Sequence, residues 1–140
     1  MELNLRRPLA FIDIETTGTN VSSDRIVEIS ILKIHPNRKE EWISLRINPE
    51  MPIPQSSTSI HGITDADVAD APVFREVAKK LSAFLEGCDL AGFNAIKFDI
   101  PLLAEEFLRV NADFSFAKRK YVDVQVIFHK KEQRTLAAAY

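Results

Sequence analysis

The first residues in this sequence that could do chemistry are Asp13 and Glu15, which flank Ile14 at the end of the apolar run Leu9-Ala10-Phe11-Ile12. In an extended chain successive side chains alternate, so Asp13 and Glu15 leave one face together. Two like charges beside each other on an apolar strand repel, and each costs free energy to bury unpaired. A hard divalent cation that prefers oxygen ligands, Mg²⁺ or Mn²⁺, relieves that cost. The alternative without a metal puts the pair at the strand's end, solvated or capping a helix. A third carboxylate, Asp99, closes Phe93-Asn94-Ala95-Ile96-Lys97-Phe98-Asp99 and precedes Ile100-Pro101. Aspartate in that place reads as a helix N-cap, a role compatible with binding a metal.

The elements that must position these groups follow from periodicity. The run at residues 9–15, bounded by Thr16-Thr17-Gly18, suits a central strand buried on both faces. Residues 25–35 and 41–48 alternate apolar and polar side chains across a Pro36-Asn37-Arg38 turn, so three strands in a meander are expected. Residues 49–62 carry Pro49, Pro52, Pro54 and a Ser/Thr cluster, the composition of a surface loop. Thr64-Asp65-Ala66-Asp67 has a capping pattern. A helix is expected from Ala71-Pro72, with proline at its first position and Phe74, Val77, Ala78, Leu81, Phe84 and Leu85 on one face, stopped by Gly87. A short strand at residues 89–93 and a helix after Asp99 burying Leu102, Leu103, Phe107 and Val110 come next. A fifth strand at 121–124, a short helix near 125–128 and the first turns of another from Arg134 complete the reading. Trp42 and Phe74 read as core or partly buried residues.

The composition bounds the class. A length of 140 residues, 46% apolar and 27% charged, fits one globular domain. Its single cysteine, Cys88, can form no internal disulfide and suits a reducing cytoplasm. No apolar run approaches a membrane span, and the N-terminus lacks a signal-peptide core. With a net charge of −2, any nucleic-acid partner must be held by local positive groups or metal ions rather than by global attraction.

Together, Asp13-x-Glu15-Thr16-Thr17-Gly18, His61-Gly62-Ile63-Thr64 and Asn94-x-x-x-Phe98-Asp99 resemble the DnaQ-like 3′–5′ exonucleases of the DEDD group, in the same order and over essentially the whole chain. The resemblance implies an α/β, ribonuclease-H-like fold: a mixed five-stranded sheet, its first three strands antiparallel, with helices on both faces. It implies that Asp13, Glu15 and Asp99 are catalytic and hold two divalent ions, Mg²⁺ or Mn²⁺. Thr16, Thr17, Gly18, His61, Asn94 and Phe98 then correspond to positions near the terminal nucleotide. The implied activity is metal-dependent cleavage of phosphodiester bonds from nucleic-acid 3′ ends. The implied partners are single-stranded or 3′-terminal DNA or RNA and, where the domain proofreads, a polymerase subunit.

One part of the family pattern is missing. The third motif, His-x-x-x-x-Asp or Tyr-x-x-x-Asp on a C-terminal helix, supplies the general base and fourth carboxylate. His129 has Arg134 five positions on, and His35 lies at a turn, so no general base is found. The expectation is a single exonuclease-like domain over residues 1–140 that lacks its C-terminal catalytic helix and turns over weakly or not at all. The alternative function is a non-catalytic nucleotide- or nucleic-acid-binding module of the same fold. Asp123 is a possible substitute ligand, although a structural hydrogen-bonding role fits it better. Arg25, Lys97, Lys118, Arg119, Lys120, Lys130 and Lys131 could track a nucleic-acid backbone or simply form a solvated face.

Overall fold

The computed structural model describes residues 5–93 and 95–123. Five strands form one mixed sheet: β1 (Leu9–Thr16), β2 (Ile26–Ile34), β3 (Glu40–Arg46), β4 (Asp89–Gly92) and β5 (Tyr121–Asp123), in the spatial order β3-β2-β1-β4-β5. The first three pair antiparallel, and β4 and β5 join in parallel, as the resemblance implies. β1 is therefore central, but it is not buried on both faces as expected: Asp13 is exposed and Phe11 and Glu15 are half-buried. Ala10, Ile12 and Ile14 are buried with Ile29 and Ile31 of β2.

Four α-helices occur among the described residues: α1 (Gln55–His61), α2 (Asp65–Val68), α3 (Phe74–Leu85) and α4 (Ile100–Arg109). Phe74, Val77, Ala78, Leu81 and Leu85 of α3 and Leu102, Leu103 and Phe107 of α4 pack onto the Ala10, Ile12 and Ile14 face. Phe74 and Phe107 meet edge to face at 5.2 Å, and Phe114 stacks on Phe107 at 4.4 Å. Thr64 and Asp67 make the expected reciprocal cap of α2.

Several expectations are corrected. Residues 49–62 are not all loop. α1 forms after Pro54, with only Ser57 buried, so it has no apolar stripe for periodicity to detect. α3 starts at Phe74 rather than at Pro72, because the Pro72 carbonyl accepts the Asn48 N–H and Val73 bridges to Asn48. Asp99 does not cap α4. Its backbone is already helical and its side chain makes no cap bond. Trp42 is 65% exposed, because strand alternation puts it with Ser44 and Arg46 on the face opposite Ile43 and Leu45. The fifth strand is present over Tyr121–Asp123, and Val124 lies outside the described residues. The expected helices at 125–128 and from Arg134, together with His129 and Asn94, lie outside the described residues.

Candidate active site

β1 carries the first two carboxylates out of the core. Because Ile12 and Ile14 face α3 and α4, Asp13 and Glu15 project from the other face, Asp13 exposed and Glu15 half-buried. The third carboxylate arrives from the crossover after β4. Along β1, β4 pairs only at Leu9, Ala10 and Phe11, so β1 runs on beyond it. The space alongside is taken by a π-helical turn, Ala95–Asp99, which leads directly into α4. Such turns are rare and recur at functional sites. Pro101 lies in the first turn of α4.

Asp99 is 7% exposed. Burial pushes its carboxyl up to about 7, with the nearby charges of Asp13 and Glu15 acting the same way and the Ile14 backbone N–H opposing them. Burial also raises Asp13, helped by Glu28. Burial raises Glu15 as well, with Asp13 and Glu28 adding to it and His61 acting against. The three acids thus share one electrostatic environment, in which each ionised carboxylate disfavours the next.

The residues around them are mostly committed to holding the end of β1. Nδ1 of His61 accepts the Ile63 N–H at 3.0 Å, so Nε2 carries the ring proton and donates to the Thr16 carbonyl at 3.0 Å. Thr17 is 1% exposed. Its hydroxyl donates to Asp24 Oδ1 at 2.8 Å and accepts the Arg25 N–H at 3.0 Å, so that hydroxyl is used internally. Its carbonyl accepts from Ser57 on α1 at 2.6 Å. The Thr16 hydroxyl donates to the Gly18 carbonyl. A Cβ on Gly18 would lie 2.5 Å from Asp24 Oδ2, so glycine there lets the loop close over that carboxylate. Phe98 is half-buried against the main core.

Sequence reasoning missed Glu106. It is 2% exposed, accepts the Ile26 N–H at 2.8 Å, and is met by Arg109, which also donates to the Ser22 carbonyl at 2.9 Å and the Asp24 carbonyl at 3.4 Å. One helix therefore carries Asp99 to the end of β1 and Glu106 to the start of β2, two turns apart. The available signal was a carboxylate on the face that also holds Leu102, Leu103 and Phe107. Of the basic residues suggested for nucleic acid, Arg119 is spent on the Leu85, Cys88 and Ser115 carbonyls and Arg25 pairs with Glu50.

Among the described residues, no Lys or Arg is ion-paired to Asp13, Glu15 or Asp99. Three mutually repelling carboxylates that offer only oxygen suit Mg²⁺ or Mn²⁺. Among the described residues no three His, Cys, Asp or Glu side chains, Asp13, Glu15 and Asp99 included, stand together as a group that could hold a metal ion by themselves. The fit is thus one of charge and donor type. Mg²⁺ commonly keeps several waters and binds one or two carboxylates plus substrate phosphate.

A sheet of this order, with an acid pair leaving its middle strand and a third acid entering from the crossover beside it, defines a ribonuclease-H-like domain. Residues 10–139 match the Exonuclease family, and the chain belongs to it as an exonuclease domain. It is 39% identical over 105 residues to a DNA polymerase III subunit epsilon-like protein of Rhodobacter capsulatus, covering 73% of this chain and 15% of that one. It is 31% identical over 110 residues to the DNA polymerase III subunit epsilon of Pasteurella multocida, covering 74% and 43%. The chain spans less than half the length of these relatives. E. coli exonuclease I in complex with a dT13 oligonucleotide shares the fold, with a TM-score of 0.79 at 17% identity over 95% of this chain and 31% of that one.

Proposed function

We propose that this domain hydrolyses phosphodiester bonds from the 3′ end of a nucleic-acid strand, with Asp13, Glu15 and Asp99 holding two divalent ions, Mg²⁺ or Mn²⁺. The observation that supports this most is the arrival of buried Asp99 beside Asp13 and Glu15, with no basic partner among the described residues. When bound, such ions supply charge for the attacking and leaving oxygens and lower the pKa of water.

The chain's own contribution is positioning. β1 fixes Asp13 and Glu15 on one face, and α4 fixes Asp99 from the side. His61 and Ser57 hold the Thr16 and Thr17 carbonyls, which keeps the strand end rigid next to Glu15. Thr16, Thr17, Gly18, His61, Asn94 and Phe98 would border the terminal nucleotide. Since the Thr17 hydroxyl and both His61 ring nitrogens are engaged, contact there would come from backbone and from ring faces. Lys97 is exposed two residues before Asp99 and would be available to a phosphate.

The partner would be a single-stranded or 3′-terminal strand, DNA or RNA. Its polynucleotide nature is supported by the oligonucleotide held by exonuclease I, and a polymerase context by the epsilon relatives. Among the described residues no helix is long and apolar enough to cross a membrane, and the lone buried cysteine fits a cytoplasmic setting. Neither His35, bound to Glu41, nor His61 is placed as a base, and the sequence holds no His-x-x-x-x-Asp. Turnover by these 140 residues alone is therefore expected to be slow, since a general base contributes about 10²–10⁴ in rate.

The test is an oligonucleotide ladder. Single-stranded DNA and RNA labelled at the 5′ end are incubated with the protein and Mn²⁺, beside the Asp13→Asn and Asp99→Asn variants. Slow shortening from the 3′ end, lost in both variants, is expected. Shortening that persists in both variants would overturn the assignment. Strand binding without cleavage, unchanged when the chain is extended beyond Tyr140, would favour the non-catalytic binding module.

A further inference from the structure

The register of the sheet places a fourth carboxylate against the site. In the β1–β2 ladder Glu15 stands opposite Glu28, and in the β2–β3 ladder Glu28 stands opposite Arg46. Glu15, Glu28 and Arg46 therefore cross three strands as one row on the face that also carries Asp13. Directly opposed side chains in antiparallel strands have Cβ atoms about 4.5–5.5 Å apart, and like charges there are destabilising. Among the described residues the one ion pair of Glu28 comes from the far side, Arg46 Nε to Oε1 at 3.2 Å, with the two side chains 47% and 30% exposed. A pair that open to solvent is worth about 0–1 kcal/mol, little return for setting Glu28 opposite Glu15.

We propose that Glu28 and Arg46 form an electrostatic regulator of divalent-cation affinity at the Asp13–Glu15–Asp99 site: Glu28 draws the cation through space without ligating it, and Arg46 partly cancels that pull. This rests on the function proposed above. Both are positioning residues, acting through the three acids. The charge of Glu28 already reaches two of them, since it disfavours ionisation of both Asp13 and Glu15. The same field that repels a second anion attracts a dication more strongly than a monocation. Arg46 sits one strand further out and opposes it at longer range.

The opposing charges give the test a sign. If the two residues form only a structural ion pair, Glu28→Gln and Arg46→Gln both break it and shift any property in the same direction. As an electrostatic regulator they act oppositely. By calorimetric titration with Mn²⁺ at low ionic strength, Glu28→Gln is expected to weaken binding about three- to tenfold and Arg46→Gln to strengthen it about two- to fivefold. The double variant should return close to the parent, and all the shifts should shrink in 0.5 M salt. Far-UV circular dichroism and thermal melts confirm that each variant is folded. Shifts of equal sign, or no shift in either single variant, would overturn the proposal. Asp13→Asn separates the two levels: if it leaves Mn²⁺ binding intact, the metal site itself fails, whereas if it abolishes binding while the Glu28 and Arg46 variants behave as a structural pair, only this inference fails.

Discussion

The carboxylate of Asp99 sits beside the backbone N–H of Ile14, the residue between Asp13 and Glu15. Two segments far apart in sequence thus meet at one peptide unit. The contact places the third acid against the middle of the acid pair and offsets part of the upward push that burial, Asp13 and Glu15 exert on its carboxyl.

Asp99→Asn should therefore separate stability from binding. The amide keeps an oxygen for the Ile14 N–H and removes the repulsion from Asp13 and Glu15. At pH 8 without divalent ions, we expect the melting temperature to rise by a few degrees, on the order of 1 kcal/mol. Calorimetry with Mn²⁺ should at the same time show binding reduced at least tenfold. A variant that is both less stable and binds as tightly as the parent would contradict the repulsion.

The raised pKa of Asp99, about 7, sets a pH window with a defined sign. Its unfolded value is the ordinary 3.8. Below that value both states hold the proton. Between roughly 4 and 7 the unfolded chain releases it while the folded chain keeps it, so the contribution of Asp99 to stability falls as pH rises through that range. Divalent ions compete with the same proton. Mn²⁺ affinity should climb by up to about tenfold per pH unit below 7 and level off above it. Titrations from pH 5.5 to 8.5 check this, and Asp99→Asn should flatten the climb.

Glu106→Ala should be among the most destabilising single changes in the domain. It leaves the buried Ile26 N–H without its acceptor and Arg109 without its partner. Urea unfolding should show a loss of about 2–4 kcal/mol. Glu106→Gln retains an oxygen for Ile26 and should lose roughly half as much.

Gly18→Ala tests the loop behind the site. The added methyl would meet the Asp24 carboxylate at 2.5 Å. Asp24 must then release Thr17 or Asn20, which it now holds at 2.8 Å each. A loss of about 1–3 kcal/mol is expected. Asp24→Ser in the same background should recover part of it, since a shorter side chain makes room.

Much of this arrangement was legible from the chain because it depends on alternation. Ile12 and Ile14 against Asp13 and Glu15 is a period-two pattern, and one register slip would bury the acids. The same rule could have placed Trp42 outside, since it shares parity with Ser44 and Arg46. What escaped depends on partners distant in sequence. Asp99 before Ile100-Pro101 satisfies every local criterion for a cap, and only the fold reveals that β4 ends early and leaves β1 for it. Glu106 looks like an ordinary helix carboxylate until Ile26 and Arg109 meet it. α1 has one buried residue and follows three prolines, so neither its pattern nor its composition announces a helix.

The nearness of Ile14 to Asp99 gives the molecule a built-in reporter. The amide proton of Ile14 stands in the electric field of a carboxyl group that changes charge near neutrality, and it lies between two more acids that would respond to a dication. In a ¹⁵N-labelled sample its resonance should track proton loss and ion uptake separately, with no dye, substrate or turnover required.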